Sequence, residues 1–218
     1  MTDRQIKLVV FDLDGTLINS HETIYFTFTH TLKELGYFPK IDKQKFIKLL
    51  GFHFNEILEG VGIKEINFDK FINIYKNHYF DYINKSEIYP GVINTLAKLK
   101  SNGFKTALLT TKLQDQAELV CAHFKLDLYF NLIMGRRNGI AHKPSAEPLK
   151  LICDELGVAL ENVIIVGDTE LDILCGKNAG SKTCAVTYGY RTYEDLLIYQ
   201  SDYVINSIDE IIQILGVN

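Results

Sequence analysis

The chain has 218 residues and a formal net charge of −4, with 23 Lys and Arg against 27 Asp and Glu. Hydrophobic residues make up 47% and charged residues 23% of the sequence, which is typical of a globular protein and excludes a disordered chain or a coiled-coil rod. The acidic balance gives no electrostatic support for nucleic-acid binding, and no apolar run approaches the roughly 20 residues that span a bilayer. The length fits one domain that carries an insertion.

The first residues, Met1 to Gln5, lead directly into a short apolar stretch. They lack the basic start, the long apolar middle and the small-residue cleavage site of a secretory signal peptide. We therefore expect a cytoplasmic protein that contacts neither membrane nor nucleic acid. Its oligomeric state, monomer or dimer, stays open.

Short apolar runs recur along the chain, and the first of them spans Ile6 to Phe11. Helical patterns lie between the runs, and Gly157 and Gly180 stand where two of these helices should end. Strands that alternate with helices predict βαβ units and a mostly parallel sheet. The later runs are Thr106–Leu109, Leu132–Met134, Val163–Val166, Thr183–Val186 and Tyr203–Ile205.

One interval breaks this alternation, because no good strand is found between Leu17 and Pro90. Apolar residues there recur at helical spacing, as in Ile24, Phe28 and Leu32, and the interval is the most aromatic part of the chain. We predict an α/β fold: a Rossmann-like parallel sheet formed by residues 1–17 and 88–218, with an all-helical insertion of about four helices formed by residues 18–87.

The four cysteines lie inside apolar helical or strand-like segments, and none forms a C-x-x-C pair. Small buried hydrophobes are therefore a better interpretation than disulfide, zinc or redox functions. The residues are Cys121, Cys153, Cys175 and Cys184.

Polar residues follow the predicted strands at the ends where ligands bind in a parallel α/β sheet. Each residue alone has an ordinary explanation, such as an acidic turn, a helix cap or a solvated lysine. Those explanations are independent of each other and do not account for the shared position at successive strand ends. The residues are Asp12 and Asp14, Thr110 and Thr111, Lys143, and Asp168 and Asp172.

This residue set fits phosphoryl transfer through an aspartyl phosphate. A carboxylate nucleophile divides one difficult displacement into two easier ones, but it needs positive charge near the phosphate. Mg²⁺ held by one or two carboxylates, together with a lysine, can supply that charge. A second carboxyl group can protonate the leaving oxygen and then activate water.

The residues also resemble the four motifs of the haloacid dehalogenase-like superfamily, in order and over essentially the whole chain. Asp12-Leu13-Asp14-Gly15-Thr16-Leu17 is similar to the first motif, and Tyr89-Pro90-Gly91-Val92 resembles the return to the core after a helical cap. The resemblance implies that residues 18–87 are a cap domain. The other motifs lie at residues 108–112, 143–149 and 167–172.

The resemblance implies specific functions for three catalytic residues. Asp12 would be the nucleophile and a metal ligand. Asp14 would be the general acid and base, with its backbone carbonyl on Mg²⁺. Lys143 would neutralise the phosphate and the aspartyl intermediate.

Four further residues would bind phosphate or metal if the resemblance holds. Thr110 and the backbone of Thr111 would bind phosphate. Asp168 would bind Mg²⁺ directly, and Asp172 would act through water.

Within the superfamily, the resemblance to phosphoglycolate phosphatases predicts hydrolysis of a small phosphate monoester. Inorganic pyrophosphatase is the alternative, because Leu17-Ile18-Asn19 and residues 110–113 resemble that group. Thr16-Leu17 disfavours a β-phosphoglucomutase, and Asp14 makes a dehalogenase a poor fit. Outside the superfamily, a phospho-acceptor receiver domain is the non-enzyme alternative, although its acids are adjacent and no helical insertion follows them.

A turn in the insertion, Gly51-Phe52-His53-Phe54, gives a last pair of candidates. Gly51 permits a close backbone approach, and His53 could meet a carboxylate or phosphate of the substrate. Equally, Phe52 and Phe54 could simply pack the insertion while His53 is solvated. Both interpretations stay open from the sequence.

Overall fold

The computed structural model describes residues 5–217. Contacts between Cα atoms divide the chain into two compact units. The larger, here the sheet unit, combines the chain up to Leu17 with the chain from Ile88 onward, and the smaller, here the helical unit, spans Ile18–Glu87. The expectation that no signal peptide begins at Met1–Arg4 lies outside the described residues.

The sheet unit contains a six-stranded sheet, and every pairing in it is parallel. Spatially the strands follow the order β5-β4-β1-β6-β7-β8. The central strand β1 is fully buried, as expected of a strand covered on both faces. This topology confirms the predicted parallel α/β fold. The strands are β1 (Leu8–Phe11), β4 (Lys105–Leu113), β5 (Leu132–Arg136), β6 (Val163–Gly167), β7 (Lys182–Val186) and β8 (Tyr203–Ile205).

Helices connect these strands and cover the sheet. Two of them, α7 and α8, pack on the face that carries Leu8 and Val10, and their core contacts include Leu149 and Ile152 of α7. Both end at a glycine in the left-handed region, Gly157 or Gly180, as the sequence predicts. The helices are α5 (Val92–Ser101), α6 (Gln114–His123), α7 (Glu147–Leu156), α8 (Glu170–Ala179), α9 (Tyr193–Leu197) and α10 (Glu210–Ile214).

The helical unit contains four α-helices, the number predicted. It also contains a 3-10 helix at Tyr79–Lys85. Two short strands at the ends of the unit, β2 (Ile18–Asn19) and β3 (Glu87–Ile88), pair with each other, and the second residue of β3 already belongs to the sheet unit. No strand was predicted in this interval, because segments of two residues are too short to give an apolar run. The helices are α1 (His21–Glu34), α2 (Lys43–Lys48), α3 (Phe54–Gly60) and α4 (Phe68–His78).

Aromatic side chains form the interior of the helical unit. Phe28 of α1 contacts Phe46 of α2 and Phe71 of α4, with ring centroids 4.9 and 5.4 Å apart, and all three rings are fully buried. Phe54 packs against Phe28 and Phe71 at 6.1 and 5.6 Å. Burial of such large rings, with favourable tilted and edge contacts, holds together helices of only 6 to 14 residues. No helix among residues 5–217 combines the length and the apolar character needed to cross a membrane.

All four cysteines are buried free thiols, as the sequence predicts. Burial disfavours the charged thiolate and is the main cause of their raised pKa values. The pKa of Cys153 rises to about 11, and those of Cys121, Cys175 and Cys184 rise to about 12.

Candidate active site

The first two acids lie in the turn that follows β1. Asp12 is buried, and its backbone N–H donates to the carbonyl of Val166 in β6 over 2.9 Å, which ties the turn to the neighbouring strand. Asp14 is more exposed than Asp12 and lies one residue before Gly15, whose φ of +90° is disfavoured for other residues. The turn therefore presents both carboxyl groups at the carboxyl end of the sheet.

Lys143 joins two of the predicted acids. Its Nζ donates to Oδ1 of Asp12 over 2.7 Å and to Oδ1 of Asp172 over 2.5 Å. The side chains of Lys143 and Asp172 are 2% and 1% exposed, so water screens these contacts very little. The two carboxylates outweigh the burial that would otherwise lower the pKa of Lys143, and its pKa is raised. Lys143 is therefore a fixed ammonium beside Asp12.

The start of α8 holds Asp172 in place. The backbone N–H and the hydroxyl of Thr169 both donate to Oδ2 of Asp172, over 3.1 and 2.7 Å. Gly167 leaves room for this carboxylate, since a Cβ there would lie 2.1 Å from Cγ of Asp172. With one oxygen on Thr169 and the other on Lys143, Asp172 positions the lysine.

Asp168 lies beside the same turn and has hydrogen-bond partners of its own. Its Oδ1 accepts from the Thr16 hydroxyl over 3.0 Å, and its Oδ2 accepts from the Tyr190 backbone N–H over 2.8 Å. Two glycines border the carboxylate: a Cβ on Gly15 would lie 2.2 Å from Oδ2, and one on Gly189 would lie 2.3 Å from Cβ of Asp168. The loop after β7 thus supplies two contacts, from Gly189 and Tyr190, that the sequence did not indicate.

The charges of this cluster fit a bound cation. Oxygens of Asp12, Asp168 and Asp172 lie within 4.8 Å of one another, so three carboxylates face one ammonium. Burial, reinforced by the neighbouring carboxylates, raises the pKa of Asp12 well above its ordinary value and that of Asp168 to about 7. A hard divalent cation with oxygen ligands would offset this repulsion. Asp12, Asp168 and Asp172 are the residues whose carboxylates could hold such a cation.

The second group of predicted residues lies within β4, which continues to Leu113. The predicted strand end at Leu109 is therefore wrong. A register irregularity between Leu109 and Leu113 lets β4 stay paired with β5 beyond the apolar run. Thr110 is buried, and its hydroxyl accepts from the Lys112 backbone N–H over 3.2 Å, while Thr111 is half-buried.

Lys112 contacts Asp14, a pairing that the sequence did not predict. Its Nζ lies 3.1 Å from Oδ2 of Asp14, and the two side chains are only 10% and 16% exposed. Asp14 therefore pairs with Lys112, whereas Asp12 and Asp172 pair with Lys143. The one indication in the sequence that Lys112 lies near the site is its position directly after Thr110 and Thr111.

Gly51 and His53 lie in the helical unit, where His53 has local structural contacts. Its Nδ1 accepts from the Asn55 N–H over 3.1 Å, its own N–H donates to Glu56 over 3.0 Å, and its ring stacks on Phe68 with centroids 5.3 Å apart. His53 is thus the N-cap of α3, and Gly51 has a φ of +100°. Contact of either residue with substrate stays a prediction.

The sequence matches a known family over most of its length. The profile described as haloacid dehalogenase-like hydrolase matches residues 9–186. The pyrophosphatase PpaX of Halalkalibacterium halodurans is 35% identical over 215 residues, which is 98% of each chain. The phosphoglycolate phosphatase of Aquifex aeolicus is also 35% identical, over 85% of this chain and 86% of its own.

Solved structures share the fold over nearly the whole chain. A haloacid dehalogenase-like hydrolase from Streptococcus pneumoniae superposes with a TM-score of 0.86 at 28% identity. The superposition covers 96% of this chain and 98% of that protein. The similarity thus includes both the strands that carry the acids and the helical insertion.

Proposed function

This chain belongs to the haloacid dehalogenase-like hydrolase family, and we propose that it is a magnesium-dependent phosphatase that hydrolyses a small phosphorylated metabolite through an aspartyl phosphate. One observation carries the proposal: a buried ammonium, Lys143, lies 2.7 Å from the carboxylate of Asp12 at the carboxyl end of the central strand. A carboxylate held in this way is suited to attack an anionic phosphorus centre, because the lysine offsets the charge that attack concentrates there.

Asp12 is the proposed nucleophile. Its free oxygen attacks phosphorus, the ester oxygen leaves, and the phosphoryl group is carried on the carboxylate until water hydrolyses it. Lys143 remains beside the phosphoryl group in both steps, held by Asp172. The hydroxyl of Thr110 and the backbone N–H of Thr111 are proposed to bind the phosphoryl oxygens.

Asp14 is the proposed general acid and base. It donates a proton to the leaving oxygen in the first step and accepts one from the attacking water in the second. Its partial exposure suits proton exchange with solvent, in contrast to the buried Asp12. Lys112, 3.1 Å from Asp14, orients the carboxylate for both transfers.

Mg²⁺ is the proposed metal, held by Asp12, Asp168 and the backbone carbonyl of Asp14, with Asp172 outside the direct ligands. When bound, it supplies positive charge that neutralises the phosphoryl oxygens and lowers repulsion of the nucleophile. The support is the buried excess of carboxylates over ammonium groups.

Loss of the metal is expected to stop the enzyme. Chelator should abolish turnover, and added Mg²⁺ should restore it. Asp168→Asn keeps the shape and one acceptor for Thr16 or Tyr190 but removes the charge, so the Mg²⁺ concentration for half-maximal rate should rise at least roughly tenfold. The measurement is initial rate against Mg²⁺ concentration; full activity in excess chelator would contradict the metal proposal.

A methyl group at Gly15 is expected to displace Asp168. Gly15→Ala adds strain at φ +90° and also a Cβ 2.2 Å from the Asp168 carboxylate. Since misplacement of about 1 Å can cost about 100-fold in rate, kcat/KM should fall by that order.

Gly103→Ala is the matched control, because Gly103 has φ +79° and nothing within 4 Å of its Cβ position. It tests strain alone, and should lower stability by about 1 kcal/mol without changing kcat/KM. Equal rates for the two variants would show that Asp168 tolerates the shift.

The first-choice substrate is 2-phosphoglycolate, and pyrophosphate is the second candidate. The Aquifex aeolicus relative supports the first, while the pyrophosphatase PpaX supports the second because it aligns over 98% of both chains. The test is kcat/KM with Mg²⁺ over 2-phosphoglycolate, pyrophosphate, sugar phosphates and p-nitrophenyl phosphate. Turnover of pyrophosphate but not of 2-phosphoglycolate would show that pyrophosphate is the substrate, and the proposed mechanism would still apply. No turnover of any compound would refute the phosphatase proposal.

The helical unit is proposed to be a cap domain, residues 18–87, that selects the leaving group, with the catalytic groups in the core domain, residues 1–17 and 88–218. Gly51 and His53 are the proposed contacts. Since His53 also caps α3, His53→Ala would lower the free energy of unfolding by about 1 kcal/mol, and this loss could be mistaken for an effect on substrate selectivity. Asn is an equally good N-cap and lacks the imidazole.

His53→Asn is therefore expected to change the ranking of the substrate panel while leaving the melting temperature close to that of the wild type. Substrates with an anionic leaving group should lose most, by roughly 10-fold or more. If every substrate falls by the same factor, His53 serves only as a helix cap.

A further inference from the structure

Two histidines and a glutamate meet on the helical unit. His30 and Glu34 lie one turn apart on α1, and His78 is the last residue of α4. The imidazole rings of His30 and His78 stack with centroids 4.1 Å apart and planes at 22°. Their Nε2 atoms face the same oxygen, Oε2 of Glu34, at 3.9 and 2.9 Å. One potential ligand atom from each residue lies within 4.8 Å of the other two.

The other ring nitrogen of each histidine, Nδ1, already has a hydrogen-bond partner. Nδ1 of His30 lies 2.7 Å from the hydroxyl of Tyr82, and Nδ1 of His78 lies 2.7 Å from Oδ2 of Asp81. Metal-binding histidines characteristically have such a partner on the second nitrogen, since it fixes the tautomer and the ring orientation. Both rings are thus oriented with Nε2 towards the glutamate.

We propose that His30, Glu34 and His78 form a site for a divalent transition-metal ion of the zinc class. Two imidazole nitrogens and one carboxylate are a donor set that Zn²⁺ prefers, whereas Mg²⁺ prefers oxygen ligands alone. The side chains are 27–47% exposed, so water can complete the coordination shell. The ion would link α1 to α4 and so stabilise the helical unit against unfolding.

The test is isothermal titration of the full-length protein with Zn²⁺ in millimolar Mg²⁺, which is added to compete for the separate cluster of carboxylates at Asp12, Asp168 and Asp172. One equivalent of Zn²⁺ should bind. His30→Ala and His78→Ala should each lower the affinity at least roughly 100-fold, and Asp81→Asn, which changes only the orienting partner, should lower it roughly 10- to 100-fold. His123→Ala is the control, since His123 is an exposed histidine on α6.

Two further measurements separate a metal site from a solvated charged cluster. X-ray absorption at the zinc edge should show imidazole scattering in the wild type, and this scattering should be weaker in His30→Ala, which keeps only the imidazole of His78. Zn²⁺ at about 100 times its dissociation constant should raise the melting temperature by roughly 5–10 °C in the wild type and not in His78→Ala. Equal affinity in the wild type and both alanine variants, or no Zn²⁺ binding up to millimolar concentration, would overturn the proposal.

Discussion

Asp12→Asn is expected to lower turnover by roughly 10⁴-fold or more while the protein stays folded. The amide keeps the size and an oxygen for Lys143 but lacks the charge and nucleophilicity of a carboxylate. The stability should be unchanged or higher, because burial, reinforced by the like charges of Asp172 and Asp168, disfavours the charged form of Asp12 and raises its pKa. An active site that lowers stability in this way is a common cost of function.

Rate and stability together test the prediction. Steady-state kcat/KM should collapse, the melting temperature should not fall, and acid-quenched wild type, but not the variant, should carry a phosphoryl group on Asp12. Asp154→Asn, an exposed change on α7, is the control and should leave both quantities unchanged. Turnover within about tenfold of the wild type would refute the aspartyl phosphate, provided mass spectrometry shows that the new amide has not reverted by deamidation.

Lys143→Met should have the second largest effect, and it should reduce both rate and stability. Removal of the ammonium leaves Asp12 and Asp172 buried without a cation, and breaking a buried ion pair typically costs about 3–5 kcal/mol. Turnover should fall by roughly 10³-fold or more, since the charge beside the nucleophile is lost. Denaturant titration gives the stability, and kcat/KM gives the rate.

A matched surface pair provides the control. Lys182 contacts Asp202 at the same 2.5 Å that separates Lys143 from Asp172, but its side chain is 51% exposed. Lys182→Met should therefore cost at most about 1 kcal/mol. Adding Asp12→Asn to Lys143→Met should recover part of the lost stability, because it removes one unpaired charge. Wild-type stability in Lys143→Met would show that the buried pair contributes nothing.

The six strands of the sheet were predictable because each contains an apolar run that the parallel sheet buries. The end of β4 was not predictable, because Thr110 and Thr111 are polar and end the apolar run. They stay in the strand through a register irregularity in its pairing with β5. Strands β2 and β3 escaped prediction for a different reason. Their pairing joins residues nearly 70 positions apart, and two residues carry no periodicity.

The acids and Lys143 could be predicted at one edge because parallel strands bring their carboxyl ends together. The contacts that orient them depend on tertiary structure. Tyr190 and Gly189 surround Asp168 from a loop after β7, more than 20 residues away in sequence. The pairing of Lys112 with Asp14 likewise depends on the course of β4 after its apolar run.

The buried cysteines make this protein well suited to site-directed labelling. Thiolates react with maleimides and iodoacetamides, and thiols with pKa values of about 11–12 in the interior are almost entirely protonated at neutral pH. Native protein should thus resist alkylation, and a cysteine introduced at an exposed position should become the single reactive site. Two such positions, one in each compact unit, would carry a fluorophore pair for energy-transfer measurements without prior removal of the four natural cysteines.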